Sequence, residues 1–280
     1  MKKLLIPMLF TCLLACFSCE ELNAVLEETG LTDEEIVEGL KEALSIGTDN
    51  SVSSASAQDG YLQNEVIKIL LPDQVKSLQT KIETGSISLF GGAVNVPYTT
   101  ILDAYVAITP ELESDPFEEL IVAMNRGAEK AADKALPIFG NAITNMTISD
   151  GLAILQGDST AATQYFYDNT NEALFTAFQP EVVAALGDTQ ASAIYEKTVG
   201  FMNYEYTVNY VISSVTFKVS DYLTLEEELP ATLDEYATTK AIDGLFTLVG
   251  DEEKKIRKDP FAWASDIIAR VFGSDEAKGN

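Results

Sequence analysis

The chain has 280 residues, 46% of them apolar, which fills a sizeable core and excludes a disordered polymer. Lysine and arginine total 18 against 44 aspartate and glutamate, a formal net charge of −26, so nucleic-acid phosphates and anionic headgroups repel the surface. There is no histidine, and the three cysteines, Cys12, Cys16 and Cys19, precede residue 20; this removes Ser-His-Asp and Cys-His catalysis, histidine metal sites, and any disulfide or thiolate zinc site in the body.

Met1-Lys2-Lys3 is a short basic start, and Leu4 to Phe17 is an almost unbroken apolar run. As a helix the run spans about 21 Å, short of a hydrocarbon core of about 30 Å, so it reads as a secretory signal rather than a transmembrane helix. It ends in Leu13-Leu14-Ala15-Cys16-Phe17-Ser18-Cys19. That ending resembles the lipobox of bacterial lipoproteins, in which a small residue precedes a cysteine that is lipidated and becomes the new first residue. Cys16 has the better upstream match, with Leu13 and Ala15. Cys19 follows Ser18, precedes polar Glu20-Glu21 and leaves a more ordinary signal length. Cys19 is the favoured lipidation site and Cys16 the alternative; the rival reading is a plain secreted protein cut nearby. The organisation expected is a signal at 1–18, a spacer at 19–30, one domain at 31–273 and a polar tail at 274–280. Two or more acyl chains hold a protein stably at a bilayer. Membrane contact is therefore expected through the lipidated cysteine rather than the acidic surface.

Thr32-Asp33-Glu34-Glu35 is a capping box, and Ile36, Val37, Leu40, Ala43 and Leu44 follow at helical spacing. The helix is expected over Asp33 to Ser45, ended by Gly47, with Ser-rich Thr48 to Gly60 as a loop. Tyr61 to Leu71 and Asp73 to Thr84 read as two helices parted by Pro72. Ile87 to Phe90 and Ala93 to Val96 alternate around Gly91-Gly92, a hairpin signal. Thr109-Pro110 and Asp115-Pro116 each place a cap residue before a first-turn proline. The second opens a long helix with the stripe Phe117, Leu120, Met124, Ala128, Ala131 and Ala135, whose alanines allow close helix approach and which Pro137 kinks or ends.

Thr147 starts a short helix that Gly157 closes, Ser159 to Gln179 is another, and Pro180 restarts the next. Ser192 to Leu223 is ambiguous. Tyr204, Tyr206, Val208 and Tyr210 alternate like a strand, while Val208, Val211, Ile212, Val215, Val219 and Tyr222 fit a helix; length favours helix, the reading adopted. Thr232 to Glu235 is a capping box for a helix that Gly250 ends. Asp251 to Lys258 has acids first and bases last, matching the helix dipole. Asp259-Pro260 caps a final helix. The fold class expected is a mainly α, single multi-helix domain with one short β-hairpin near residues 86–96.

Three segments carry a family resemblance: Met124-Asn125-Arg126-Gly127-Ala128-Glu129 with Pro137-Ile138-Phe139; Ile154-Leu155-Gln156-Gly157 with Ala161 to Phe166 and Phe178-Gln179-Pro180; and Lys240 to Phe246 with Glu252 to Arg257. Ile69-Leu70-Leu71-Pro72 adds to them. The chain resembles domain-of-unknown-function family 4197 over most of residues 31–273, with the hairpin region at about 85–112 departing from the usual family length. The resemblance implies an exported, mostly helical protein and assigns no activity and no functional residue.

The candidate ligand-binding residues are Arg126, Arg257 and Tyr165. An arginine can clamp a carboxylate or phosphate bidentately. Glu129 three residues after Arg126, and Glu253 four before Arg257, offer the commoner outcome of a structural ion pair. Glu118-Glu119 and Glu226-Glu227-Glu228 supply carboxylates but read as solvated faces. Asp168 to Glu172 lacks the EF-hand spacing and its glycine. Tyr195, Tyr204, Tyr206 and Tyr210 suit a pocket or partner surface, or more simply an aromatic core. No metal site, no cofactor and no nucleic-acid partner are expected. The function expected is a non-catalytic binding or interaction module on the bacterial envelope, at its outer membrane, meeting an envelope protein or a small apolar ligand; a carboxylate-based hydrolase of envelope glycans or peptides is the enzyme alternative.

Overall fold

A computed structural model describes residues 30–112, 115–188, 190–274 and 277. The signal, Cys16, Cys19, the spacer through Thr29 and most of the polar tail lie outside the described residues. The fold is mainly α. Its helices are α1 (Asp33–Ser56), α2 (Asp73–Thr84), α3 (Tyr98–Val106), α4 (Pro116–Ala132), α5 (Ala135–Asn145), α6 (Ile148–Gln156), α7 (Ala161–Asp188), α8 (Ala191–Gly200), α9 (Asp234–Lys258) and α10 (Asp266–Phe272). Two antiparallel hairpins interrupt them, β1 (Ser86–Leu89) with β2 (Val94–Pro97), and β3 (Glu205–Tyr210) with β4 (Ser213–Lys218).

Helices α1, α4, α7 and α9 form the centre: α7 packs on α4 and α9, and α1 packs on α9 and α4. Helices α5, α6 and α10 close around α1, and α8 lies on α4. The stripe Phe117, Leu120, Met124, Ala128, Ala131 and Ala135 is buried along its whole length. Its small residues do what their size predicts: a Cβ at Gly127 would sit 3.6 Å from the Cα of Val182 on α7, so the two backbones lie close.

Side-chain caps set some helix starts, but the Thr232 to Glu235 box does not form: α9 follows Leu233 with no side-chain cap and runs through Gly250 to Lys258. Pro260–Ala262 is a short 3-10 turn, and α10 starts at Asp266 capped by Ser265. Thr32 and Glu35 exchange the reciprocal bonds of a capping box, as do Thr147 and Asp150. The Asp115 carboxylate accepts from the Phe117 and Glu118 amides, with Pro116 at the first helical position.

Several expectations are corrected. Helix α1 runs through Gly47 to Ser56, so the Ser-rich stretch is helical rather than a loop. Thr48 and Ser51 return their hydroxyls to the carbonyls of Leu44 and Gly47, which lets polar residues enter the interior of a helix. Residues 61–71 are not helical. Ile67, Ile69 and Leu71 are buried and alternate with less buried neighbours, an extended run that suits its branched residues and the restriction imposed by Pro72. Thr109-Pro110 starts no helix; the Thr109 hydroxyl donates to the Tyr105 carbonyl just beyond α3. Pro137 lies in the first turn of α5, and α4 has already ended at Ala132. Pro180 sits inside α7, whose 28 residues continue past it because Phe178, Val182, Ala185 and Leu186 stay buried on both sides. Residues 192–223 are not one helix: α8 stops at Gly200 and a second hairpin follows.

Packing around Gly244 on α9 is a close test of this arrangement. A Cβ there would lie 2.8 Å from Cε1 of Tyr61 and 3.1 Å from Cβ of Ile67. Tyr61 is fully buried and donates to the Ala241 carbonyl at 2.6 Å, so its ring cannot step aside. Gly244→Ala is expected to cost about 1–3 kcal/mol, or several degrees of melting temperature. Gly140→Ala, where a Cβ meets nothing within 4 Å, is expected to stabilise by about 0.5–1 kcal/mol. Thermal melts by circular dichroism check both.

Candidate functional site

Two of the three sequence-flagged side chains belong to a pair of Arg–Glu centres. In the first, Glu253 on α9 accepts from the Ala162 amide at 3.0 Å and from the Thr163 amide and hydroxyl at 2.9 and 2.8 Å. Its carboxylate thereby caps the start of α7, where free amides and the helix dipole favour negative charge. Arg257, one turn on, donates Nε to Glu253 at 3.0 Å, Nη2 to the Ile154 carbonyl at 2.7 Å and Nη1 to the Leu155 carbonyl at 3.3 Å. Those carbonyls end α6. One ion pair therefore holds the end of one helix, the start of the next, and both to α9. Its side chains are only 13% and 6% exposed, and the guanidinium carbon lies 5.7 Å from the centre of the Phe272 ring.

The second centre is built on α4. Glu129 accepts from the Tyr61 and Leu62 amides at 3.2 and 3.3 Å and from Arg126 at 2.6 Å. Arg126 also reaches Asp59 at 2.7 Å. Hydrogen bonds to Glu129 and then Asp59 hold its pKa above the ordinary arginine value. Asn125 completes the work: its amide accepts from the Ile69 amide and donates to the Ile69 carbonyl, each at 2.8 Å. A side chain thus takes the place of a neighbouring strand for the extended run. Glu129 and Glu253 were read from the sequence as ion-pair partners only, not as backbone caps, and Asn125 was not selected; a buried polar side chain on an apolar stripe was the signal available.

Arg126 and Arg257 therefore form the ion pairs their spacing predicts, and Arg270 pairs with Glu35 at 3.1 Å. Tyr165 is half-buried and donates to the Ala142 carbonyl at 3.2 Å, tying α7 to α5. Burial raises its pKa, helped by the charge of Asp150. Asp168 to Glu172 lies on α7, where Asp168 accepts from Gln164 and Thr170 bonds back to Phe166. Among the described residues no three His, Cys, Asp or Glu side chains gather to hold a metal ion. Glu118 and Glu226 to Glu228 are exposed.

A cleft of about 450 Å³ lies where the end of α7, helix α8 and residues 229–234 meet. Its walls are mainly apolar, from Leu186, Ala191, Val199, Leu229, Pro230 and Leu233, and Tyr195 is part of the lining. The Tyr195 hydroxyl donates to the Pro230 carbonyl at 2.7 Å, and burial pushes its pKa up to about 12. Glu196 and Asp234 are the charged residues in the lining, which holds no lysine or arginine. The other tyrosines of that group form a ring chain along the second hairpin. Tyr204 meets Tyr105 at a tilt, 5.1 Å between centroids, Tyr206 approaches Phe217 at 6.2 Å, and Tyr210 meets Phe90 of the first hairpin at 5.1 Å.

The family model for a protein of unknown function (DUF4197) matches residues 30–92 and 112–273, and the chain belongs to that family. The unmatched stretch, residues 93–111, holds β2 and α3. No curated protein matches, and no solved structure matches.

Glu253→Ala strands two amides, a hydroxyl and the buried Arg257, and is expected to cost about 3–5 kcal/mol. Lys240→Ala, which breaks an exposed pair with Asp243, is expected to cost less than about 1 kcal/mol, and denaturant titration of both variants checks the difference. Tyr195 keeps its proton in the fold after an unfolded tyrosine, with a pKa near 10, has lost it. The folded state then binds more protons than the unfolded one, so stability falls as pH rises from about 10 to about 12. Tyr195→Phe is expected to flatten that decline in melts taken across the alkaline range.

Proposed function

We propose that this family member is a lipid-anchored protein of the bacterial envelope whose helical body is a non-catalytic binding module, with the cleft beside Tyr195 as its ligand site. The anchor is acylated Cys19, with Cys16 as the alternative. The observation that carries the binding reading is the contrast between the two kinds of site. The arginines that could clamp an anion are taken up by Glu129, Asp59, Glu253, Glu35 and helix-end carbonyls. The buried carboxylates Glu129 and Glu253 serve as backbone caps, which argues against their use as a facing acid–base pair. The cleft, by comparison, offers apolar walls with a few polar groups at its edge, the usual chemistry of a small-molecule site.

The lining also selects. Two acids and no base disfavour an anionic headgroup and suit an apolar body with a neutral or cationic end. No helix among the described residues is long and apolar enough to cross a membrane, which is compatible with anchorage by acyl chains.

The test uses native material. Mass spectrometry of the first peptide is expected to show acyl mass, and solvent extraction of the purified protein an apolar compound that Ala231→Trp, which fills the cleft, no longer carries. Replacing Cys16 and Cys19 together with serine is expected to release the protein from membranes after a carbonate wash. Retention after that wash would refute the anchor; an empty extract from the wild type would refute the cleft.

A further inference from the structure

The tips of the two hairpins lie side by side, joined by the Phe90–Tyr210 ring contact at 5.1 Å. The second tip is a two-residue turn, Val211-Ile212, between paired Tyr210 and Ser213. Such turns favour glycine or asparagine, because one or both central residues need a left-handed backbone. Here Val211 has φ 54°, a costly conformation for a β-branched residue. Both side chains point into solvent: Val211 is 87% and Ile212 98% exposed. Phe90 beside them also has a positive φ, at 52°, and Gly91, Gly92 and Ala93 are exposed. Strain and exposed apolar surface thus coincide at one point.

Charge is absent from the same region. No charged residue lies between Glu83 and Asp103, or between Glu205 and Lys218, in a chain that is 22% charged. Glu205 and Lys218 face each other at the base of the second hairpin. The uncharged reach from Tyr210 back to that base is about 17 Å at the usual strand rise.

We propose that these paired tips dip into the headgroup boundary of a lipid bilayer whose headgroups carry no net charge. The acidic body keeps away from anionic lipid, and the tips are where that repulsion is weakest. Apolar residues collared by tyrosine match the boundary itself, where aromatic rings are favoured and an inserted face penetrates about 5–10 Å. A protein partner fits less well: a stable protein interface takes about 800 Å² from each side, and a protruding turn with three large apolar side chains offers only a fraction of that. The inference does not rest on acylation, and it adds a protein contact to a membrane attachment otherwise read as lipid alone.

The test uses the chain from Glu20 onward, which lacks any acyl group and contains the whole described core. It is floated on a density gradient with phosphatidylcholine vesicles. Flotation is expected, undiminished in high salt and weaker when phosphatidylglycerol is mixed in. Val211→Gly with Ile212→Asn gives the turn residues it favours, so the fold is kept or stabilised, and vesicle binding is expected to drop about tenfold. Phe261→Ser, which removes another highly exposed apolar side chain, is expected to bind as wild type. The proposal is overturned if the wild type fails to float with neutral vesicles, including a case where it binds another protein instead. Binding only in the presence of anionic lipid, or equal flotation of the double variant with an unchanged melting temperature, overturns it as well.

Discussion

A buried carboxylate that accepts backbone amides while an arginine neutralises it is the interaction on which this fold turns. Glu253 and Arg257 join the end of α6 and the start of α7 to α9, and Glu129 and Arg126 join the non-helical run after α1 to α4. Neither charge could be buried alone, because desolvation in a low-dielectric interior would outweigh any single contact. Arginine suits the role through its planar fork, which serves a carboxylate and two carbonyls at once; lysine has no equivalent geometry. Each centre therefore adds a polar tie between elements that also pack through apolar side chains.

The segments that carry the family likeness are the ones that build these centres: Asn125 to Glu129, Ile154 to Gly157 with Ala161 to Thr163, and Glu252 to Arg257. The likeness is thus largely a likeness of scaffold. Residues 93–111 fall outside the matched stretches and include β2, whose partner β1 leads into Phe90 beside the second hairpin.

Polar contacts and function divide along the same line. With 44 acids, the chain has partners for each arginine, and all three are drawn into ion pairs. What remains distinctive is the mainly apolar cleft beside Tyr195, which has acids but no base, and the uncharged hairpin tips around Val211 and Ile212. In so acidic a molecule, an uncharged region is where another apolar body meets the least electrostatic opposition.

Local chemistry was legible at several points where the deciding atoms lie within a few residues, though the Thr232 to Glu235 box, read on the same grounds, does not form. The Thr32 and Thr147 boxes, the Asp115-Pro116 start, the Gly91-Gly92 turn, the stripe of α4 and the i,i+3 and i,i+4 ion pairs all follow from neighbours in the chain. Gly47 and Pro180 misled because each was read as punctuation, while burial on both sides carried the helix through. Tyr61 to Leu71 looked helical because its partner, Asn125, is 56 residues from Ile69. The second hairpin was hidden by a turn of valine and isoleucine where glycine or asparagine is the usual mark.

By itself, then, the sequence determined the helical class, the caps at Thr32, Asp115 and Thr147, the acidity and the exclusion of histidine and thiol chemistry, since these depend on residue type and short spacing alone. Only the tertiary structure decided which carboxylates cap which helices, where the cleft opens and which two hairpin tips meet. Those outcomes depend on contacts between residues tens to hundreds of positions apart, whose pairing is set by how the whole core packs.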